Sequence, residues 1–342
     1  MKAAVMEGVK KIVVRDVPDP VLEKDEVMIR VQYCGICGSD LHVWETGAAL
    51  GVGHEYSGDI VKIGAGVKGW GVGDRVVPGP ISVGDSACGG SCFWCRRGEI
   101  ALCEHRRGKP HKSGETPRGD FATYVKSKAH QLYKLPAGLS YEEAALTEPT
   151  AVAVHAINRA RIAMGDTVAV LGMGPIGQLV ARLARIAGAK TIYATEKSQT
   201  RIKLAQDVAD EVIDVGKVDP VGRLLELTEG RGPDVVFECS GNPTASLQSI
   251  LLVRKGGTVV VVSVCMESFV MPFGTINLKE LTLKGSFVWN IHEYATAFDF
   301  VAKRKIDVAS LVTTKMPLDN ISEAFERCFR GEGGKILVKP QG

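Results

Sequence analysis

The chain has 342 residues, enough for two or three domains that each bury a core. Hydrophobic residues make up 45% and charged residues 24%, as in an ordinary globular protein, and the net charge is only +3. Because the basic residues form no run, the composition argues against a nucleic-acid partner. We also find no signal peptide and no apolar span of about 18 residues. We therefore expect a cytoplasmic protein without membrane contact, whose nine cysteines indicate metal binding or catalysis.

Up to about residue 150 the chain carries short β-rich runs broken by glycine. The runs lie at 26–33, 58–63, 74–78 and 121–125. Their alternating pattern and frequent turn residues predict an irregular, barrel-like β domain.

Three kinds of chemistry fit the stretch Cys34-Gly-Ile-Cys-Gly-Ser-Asp-Leu-His42. They are a dithiol redox pair, a cysteine nucleophile with a base, and part of a metal site, and the local spacing does not choose among them. His54 and Glu55 follow closely, and Glu148 stands before a proline later in the chain. A cysteine, a histidine and a carboxylate together can bind zinc and leave a coordination position open, which is typical of a catalytic zinc. Taken singly, His54 also fits a core imidazole, and Glu148 also fits a carboxylate at a helix start.

A second cysteine cluster lies within sixteen residues and has glycine and polar spacers. Its members are Cys88, Cys92, Cys95 and Cys103. Four thiolates close a tetrahedral shell, so the cluster predicts a structural zinc site. An iron–sulfur cluster and free buried thiols are the alternatives.

After residue 149 the pattern changes to strands that alternate with helices. Apolar runs lie at 167–171, 191–195, 234–239, 258–263 and 281–285. Helical spacing of apolar residues follows the first run, and Ser198 is a suitable cap for a helix after the second. This alternation predicts an α/β unit with a doubly wound parallel sheet. The tail from about residue 291 returns to helices, with candidates at 298–302 and 321–328, and short strands.

A glycine-rich motif connects the first of these strands to its helix. It reads Gly172-Met-Gly174-Pro175-Ile176-Gly177, and Glu196 ends the next strand. In this context the motif predicts a dinucleotide site in which the helix amino terminus faces the pyrophosphate and Glu196 hydrogen-bonds the adenosine ribose. A carboxylate there repels the 2′-phosphate of NADP, so we expect NAD. Lys197 and Arg201 follow closely and weaken that preference.

These residues resemble the zinc-dependent medium-chain dehydrogenases, in particular the sorbitol, xylitol and threonine dehydrogenase branch. The resemblance covers nearly the whole chain and runs through Gly35–His42, Gly53–Glu55, Gly73–Val76, the four-cysteine cluster, Glu148-Pro149, the glycine motif and Lys284–Phe287. It implies a GroES-like catalytic domain at 1–152 with a structural-zinc lobe at about 85–108. It also implies a Rossmann domain at 153–290 and a return to the catalytic domain at 291–342.

The resemblance also assigns roles to residues. It implies a catalytic zinc on Cys37, His54 and Glu148, with Glu55 as an additional or alternating ligand, and a second zinc on the four cysteines. Ser39 and His42 would carry the alcohol proton outward, and Cys34 would not be a ligand. The expected activity is hydride transfer between NAD and a secondary alcohol, namely a polyol, sugar or sugar derivative, by a homotetramer or dimer.

Three features depart from the family pattern. Three residues separate Cys88 from Cys92 where the family commonly has two, and only eleven residues separate His42 from His54. The residues Val288-Trp289-Asn290 stand where polyol enzymes often carry an Arg-Tyr pair. The substrate therefore stays open, with threonine or a small diol as alternatives to a polyol. Glu115, Arg118 and Trp289 are candidates for contacting it.

Two rival functions are weighed against the dehydrogenase. A zinc-free, NADPH-dependent enone reductase has no use for Cys37, His54 and Glu148 together, so metal content separates the two. A non-catalytic zinc protein that contacts a partner fits the arginines near the cysteine cluster, which are Arg96, Arg97, Arg106 and Arg107. That rival leaves the glycine motif unexplained.

Overall fold

The chain folds into two compact units. A computed structural model describes residues 1–48, 51–79, 88–105 and 119–341. The first unit comprises residues 1–148 together with 290–342, and the second comprises residues 149–289. The chain thus passes between the units at 148/149 and 289/290, where the sequence suggested 152/153 and 290/291.

The first unit is built mainly from β-strands. Its strands are β1 (Lys2–Gly8), β2 (Lys11–Asp16), β3 (Glu26–Gly35), β4 (Glu55–Ile63), β5 (Arg75–Pro78), β6 (Tyr124–Lys128) and β7 (Leu132–Lys134), and β14 (Val312–Pro317) and β15 (Lys335–Lys339) come from the end of the chain. β1 and β2 form an antiparallel hairpin. The other seven form one sheet in the order β14-β15-β3-β4-β5-β7, with β6 also paired to β3.

The first unit has helices from both ends of the chain. They are α1 (Gly38–Thr46), α2 (Tyr141–Ala145), α9 (Ile291–Ala302) and α10 (Ile321–Phe329), and α3 (Thr147–Ala160) begins in this unit but belongs mostly to the second. Trp44 of α1 packs against Phe325 of α10 with ring centroids 6.2 Å apart. Residues from the two ends of the chain therefore share one hydrophobic core.

The second unit alternates strands and helices. Its strands are β8 (Thr167–Leu171), β9 (Thr191–Glu196), β10 (Glu211–Asp214), β11 (Val235–Glu238), β12 (Thr258–Val261) and β13 (Thr282–Gly285). Its helices are α4 (Pro175–Ile186), α5 (Gln199–Ala205), α6 (Pro220–Leu227), α7 (Pro243–Leu252) and α8 (Phe273–Leu278). β8 and β11 are almost wholly buried and mainly apolar, with Glu238 as the last residue of β11, as expected for central strands covered on both faces.

The six strands of this unit are parallel and lie in the order β10-β9-β8-β11-β12-β13. From β8 the chain first winds outward through β9 and β10, and then returns to β11 on the other side of β8. The switch point of the sheet therefore lies between β8 and β11, and ligands of such sheets bind outside the carboxyl ends of the strands there. This confirms the α/β class, with a doubly wound parallel sheet beside a separate β-rich unit.

Some elements differ from the sequence-based expectation. The run predicted at 121–125 is strand only from Tyr124, because Phe121 and Ala122 are buried in the core before β6 begins, and Ala122 makes an isolated bridge to Ala3. Helix α1 was not predicted, although it contains Ser39 and His42. Ser198 does cap α5, since its side chain accepts the backbone NH of Arg201. In the described ranges no helix is long and apolar enough to cross a bilayer.

Candidate zinc and dinucleotide sites

Two neighbouring elements of the first unit bring together a thiol, an imidazole and a carboxylate. Cys37 is the N-cap residue of α1, and His54 and Glu55 stand at the start of β4. Ligand atoms of the three side chains lie within 4.8 Å of one another. The sequence prediction of a Cys–His–carboxylate cluster therefore corresponds to a compact group of donors.

Asp40 fixes the backbone on both sides of this cluster. Its buried carboxylate accepts the backbone NH of Cys37 at 2.9 Å and that of Gly53 at 2.8 Å. The same carboxylate lies 3.7 Å from Nδ1 of His54. Asp40 therefore orients both the thiol and the imidazole, as outer partners of metal ligands commonly do.

Glu55 is the most deeply buried member of the cluster. One of its carboxylate oxygens accepts Nζ of Lys335, which is also buried and also donates to the carbonyl of Ile36 at 3.0 Å. The other oxygen, Oε1, is buried without a hydrogen-bond partner. An orphaned carboxylate oxygen beside a thiol and an imidazole is the donor set that zinc prefers, so these residues fit the metal.

The imidazole of His54 remains accessible, with 40% of its side-chain surface exposed. Burial lowers the pKa of His54, but a hydrogen bond with Cys37 and the charges of Glu148 and Asp40 outweigh it and raise that pKa well above its ordinary value. The same negative surroundings favour a cation. Glu148 lies outside the three-residue cluster, although its charge acts on His54.

The two residues expected to relay a proton lie on α1. Ser39 is exposed and His42 is half-buried, one turn further along the helix. Three arrangements were missed by the sequence analysis, namely helix α1, the Asp40 contacts and the Lys335–Glu55 pair. The signal for Asp40 was its position inside the motif, and the signal for Lys335 was a lysine directly before the apolar run Ile336-Leu337-Val338.

The four cysteines of the second cluster also come together. Their sulfur atoms lie within 4.8 Å of one another, and Cys92, Cys95 and Cys103 are buried. Backbone NH groups of Cys95 and Glu104 lower the pKa of Cys92, which favours the thiolate form that binds metal. All nine cysteines of the chain are free of disulfides.

The extra residue between Cys88 and Cys92 is accommodated in a tight turn. Gly89 and Gly90 both adopt left-handed backbone angles, with φ of 60° and 82°. Residues 85–87 and 106–108 of the expected lobe, with Arg106 and Arg107, lie outside the described residues, as do Glu115 and Arg118. Trp289 is half-buried at the end of the second unit.

The glycine motif of the second unit shows close backbone approach. A Cβ on Gly177 would stand 1.9 Å from the carbonyl oxygen of Gly172, so α4 packs against the end of β8 only with glycine there. Gly174 is the N-cap residue of α4, and the helix begins with Pro175 and Ile176. A Cβ on Gly174 would lie 3.6 Å from Nη1 of Arg201, which places a guanidinium beside the glycine expected to face the pyrophosphate.

Glu196 ties this motif to the neighbouring strand. Its buried carboxylate accepts backbone NH groups of Met173 at 2.9 Å, Lys197 at 2.7 Å and Ser198 at 2.9 Å. A carboxylate offers about four acceptor positions, so one remains for a ribose hydroxyl. Glu196 therefore positions the glycine loop as well as carrying the negative charge that the sequence analysis assigned to it.

Comparisons with known proteins agree with this architecture. Residues 23–137 match the alcohol dehydrogenase GroES-like domain, and residues 175–303 match the zinc-binding dehydrogenase domain. The chain is 37% identical to sorbitol dehydrogenase of Halalkalibacterium halodurans, with 99% of both chains covered.

Solved structures are similar over the same length. The 2R,3R-butanediol dehydrogenase of Bacillus subtilis is 34% identical, with 99% of each chain covered and a TM-score of 0.85. A protein of Sinorhizobium meliloti that was solved with NADP is 32% identical, with 99% of each chain covered and a TM-score of 0.88.

A GroES-like unit that holds a Cys–His–carboxylate cluster, joined to a Rossmann-type sheet, defines a zinc-dependent alcohol dehydrogenase fold. The chain belongs to the zinc-dependent medium-chain dehydrogenases, in the branch of sorbitol and related polyol dehydrogenases. It is an NAD(P)-dependent oxidoreductase.

Proposed function

We propose that this enzyme oxidises a secondary hydroxyl of a polyol, sugar or sugar derivative and transfers the hydride to NAD. The observation that carries the proposal is the unpartnered Oε1 of Glu55 beside Cys37 and the accessible imidazole of His54. Sorbitol dehydrogenase of H. halodurans, similar along its whole length, supports the choice of a polyol.

Cys37 and His54 would hold the catalytic zinc, with Glu55 or Glu148 as the third ligand. Zinc bound there supplies a Lewis acid that lowers the pKa of a substrate hydroxyl. Ser39 accepts the hydroxyl proton, and half-buried His42, on the next turn of α1, passes it to solvent. Asp40 and Lys335 keep the ligand side chains in place throughout. The four cysteines would hold a second zinc, which makes two per chain.

NAD is the proposed cofactor, bound through Gly172–Gly177 with its adenosine ribose near Glu196. The buried negative charge of Glu196 disfavours the 2′-phosphate of NADP. The positive charge of Arg201 favours that phosphate, and the structure of the S. meliloti relative was solved with NADP bound. Titration of NADH and NADPH against protein fluorescence tests this preference, and tighter binding of NADPH would contradict it.

The experiment that tests the activity is NAD reduction with a panel of polyols, sugars, threonine, butanediol and simple alcohols. Each is assayed with and without a zinc chelator. We expect chelator-sensitive turnover on one polyhydroxy class. Cys37→Ala should abolish turnover with loss of one zinc, whereas Ser39→Ala should keep both zinc ions and slow oxidation by about 10²–10⁴-fold. Full activity of zinc-depleted Cys37→Ala would overturn the proposal.

A small diol is the second candidate substrate. The B. subtilis butanediol dehydrogenase is about as similar in sequence as the polyol relatives, and the shortened segment between His42 and His54 alters the family's usual substrate surroundings. Turnover of butanediol at a higher kcat/KM than any polyol in the panel would favour it.

The proposed setting is the cytoplasm, as a homotetramer or dimer. Nine cysteines outside disulfides, four of them clustered as metal donors, support a reducing compartment. The apolar segment around α8 supports self-association, because Val270, Phe273 and Leu278 are strongly exposed beside the edge strand β13.

A further inference from the structure

A second buried carboxylate, Glu238, lies at the switch point of the Rossmann-type sheet. It is the last residue of β11 and is fully buried. It is in register with Leu171, the residue that precedes Gly172, and with Val261 at the end of β12. Glu238 therefore stands at the edge of the sheet where a dinucleotide crosses.

The carboxylate of Glu238 is held by four neutral donors. Oε1 accepts the backbone NH of Ser240 at 2.8 Å, the hydroxyl of Ser240 at 2.5 Å and the backbone NH of Gly241 at 3.1 Å. Oε2 accepts the hydroxyl of Ser263, which follows β12. Burying a carboxylate costs free energy unless hydrogen bonds compensate for its lost hydration. The three donors on Oε1 and the fourth on Oε2 supply that compensation and hold the side chain in one orientation, which indicates a rigid site.

These bonds fix the turn that follows β11 against the glycine motif. A Cβ built on Gly172 would stand 2.8 Å from the Cβ of Ser240, so the two turns are in direct contact. The Ser240 hydroxyl also accepts the backbone NH of Asn242, the N-cap residue of α7. Loss of the Glu238 carboxylate would release this turn and the end of β12 together.

Two carboxylates, Glu196 and Glu238, hold the turns at which the two halves of the cofactor would bind. Glu196 anchors the glycine loop through Met173 on the β8–β9 side, where the adenosine half binds. Glu238 anchors the turns on the β11–β12 side, across which the other half of a dinucleotide extends. We propose that Glu238 is a positioning residue for the nicotinamide ring of the cofactor, acting through Ser240 and Ser263. This inference rests on the proposed use of a nicotinamide dinucleotide.

The experiment compares NADH with ADP-ribose, which lacks the nicotinamide, by calorimetric titration of the zinc-loaded enzyme. For Glu238→Ala we expect the Kd of NADH to rise about tenfold or more, because several hydrogen bonds that order the turn are lost. The Kd of ADP-ribose should stay within about twofold. Glu238→Gln, which keeps one acceptor oxygen and donates to Ser263 instead, should recover most of the NADH affinity.

Two further variants keep the test decisive. Ser263→Ala removes a single donor and leaves the fold intact. It replaces Glu238→Ala if the Glu238→Ala protein fails to bind ADP-ribose. For Ser263→Ala we expect the Kd of NADH to rise about threefold and the Kd of ADP-ribose to stay unchanged. Glu196→Ala is the matched control and should weaken both ligands. Equal losses for both ligands in the Glu238 and Ser263 variants, or none, would overturn the proposal. Failure of the wild-type enzyme to bind NADH would instead refute the proposed function.

Discussion

The buried pair of Glu55 and Lys335 links the candidate zinc site to the last strand of the chain. Burial lowers the pKa of Lys335, but the charge of Glu55 outweighs it, so the pKa lies above its ordinary value and the amine stays charged at neutral pH. Removal of one partner from such a pair leaves an uncompensated buried charge, which costs more than the pair itself contributes.

We expect Lys335→Met to destabilise the enzyme by about 3 kcal/mol, because Glu55 loses its buried cation. Urea unfolding followed by fluorescence measures the loss. Lys315→Met is the matched control, since Lys315 pairs with Glu142 at the surface and its loss should cost about 0.5 kcal/mol. The double variant Glu55→Gln/Lys335→Met should recover part of the stability. Equal costs for the two single lysine variants would contradict this account.

Sequence reasoning found the residues of the site but not the contacts that orient them. The donor types and their order along the chain pointed to Cys37, His54 and a carboxylate. The Lys335–Glu55 contact joins residues 280 positions apart, so no local pattern reveals it. The exclusion of Glu148 from the three-residue cluster likewise depends on the tertiary fold and not on a local pattern.

At the level of elements, the packing of α4 on β8 depends on the absence of a side chain at Gly177. We expect Gly177→Ala to cost about 1–3 kcal/mol and to weaken NADH binding at least about tenfold, because the added methyl meets the carbonyl of Gly172. Thermal unfolding and NADH titration measure the two effects. Gly274→Ala in α8 is the control, since nothing lies within 4 Å of its added Cβ. Unchanged NADH affinity in Gly177→Ala would refute the close-packing argument.

The four-cysteine cluster allows a prediction about metal content. We expect Cys95→Ser to lower the zinc content from two ions per chain to one and the unfolding midpoint by about 5 °C or more, because the lobe loses its cross-link. Turnover by the remaining catalytic zinc should persist. Cys265→Ser, outside both clusters, should change neither zinc content nor midpoint. Two zinc ions in Cys95→Ser would exclude the four-thiolate site.

The parallel strands were more predictable than the antiparallel ones. Short apolar runs followed by helices located β8 with its bounds and β9 to within one residue, whereas β10, which has a charged residue at each end, was not predicted. In the first unit, pairing depends on distant partners, as when β15 from the end of the chain joins β3. Hydrophobic pattern gives the face of such a strand but not its neighbour.

At the scale of the whole molecule, the segment that leads into the edge strand β13 exposes large apolar side chains. β13 is the edge strand of the six-stranded sheet, and an edge strand offers unpaired backbone groups to another chain. Val270, Phe273 and Leu278, in the segment before this strand, are 75–88% exposed. A second copy of the chain that buries this segment would cover both the exposed apolar side chains and the unpaired backbone groups of β13.

We therefore expect light scattering to give a mass that is a multiple of 36.6 kDa for the wild-type enzyme. Phe273→Glu/Leu278→Glu should shift the mass toward a monomer, because burying two charged side chains at the contact costs more free energy than the remaining apolar burial contributes. Met164→Glu is the control, since Met164 is 94% exposed in the turn before β8, and β11 and β12 separate β8 from the edge strand β13 in the sheet. A double variant that keeps the wild-type mass would mean that subunits meet elsewhere.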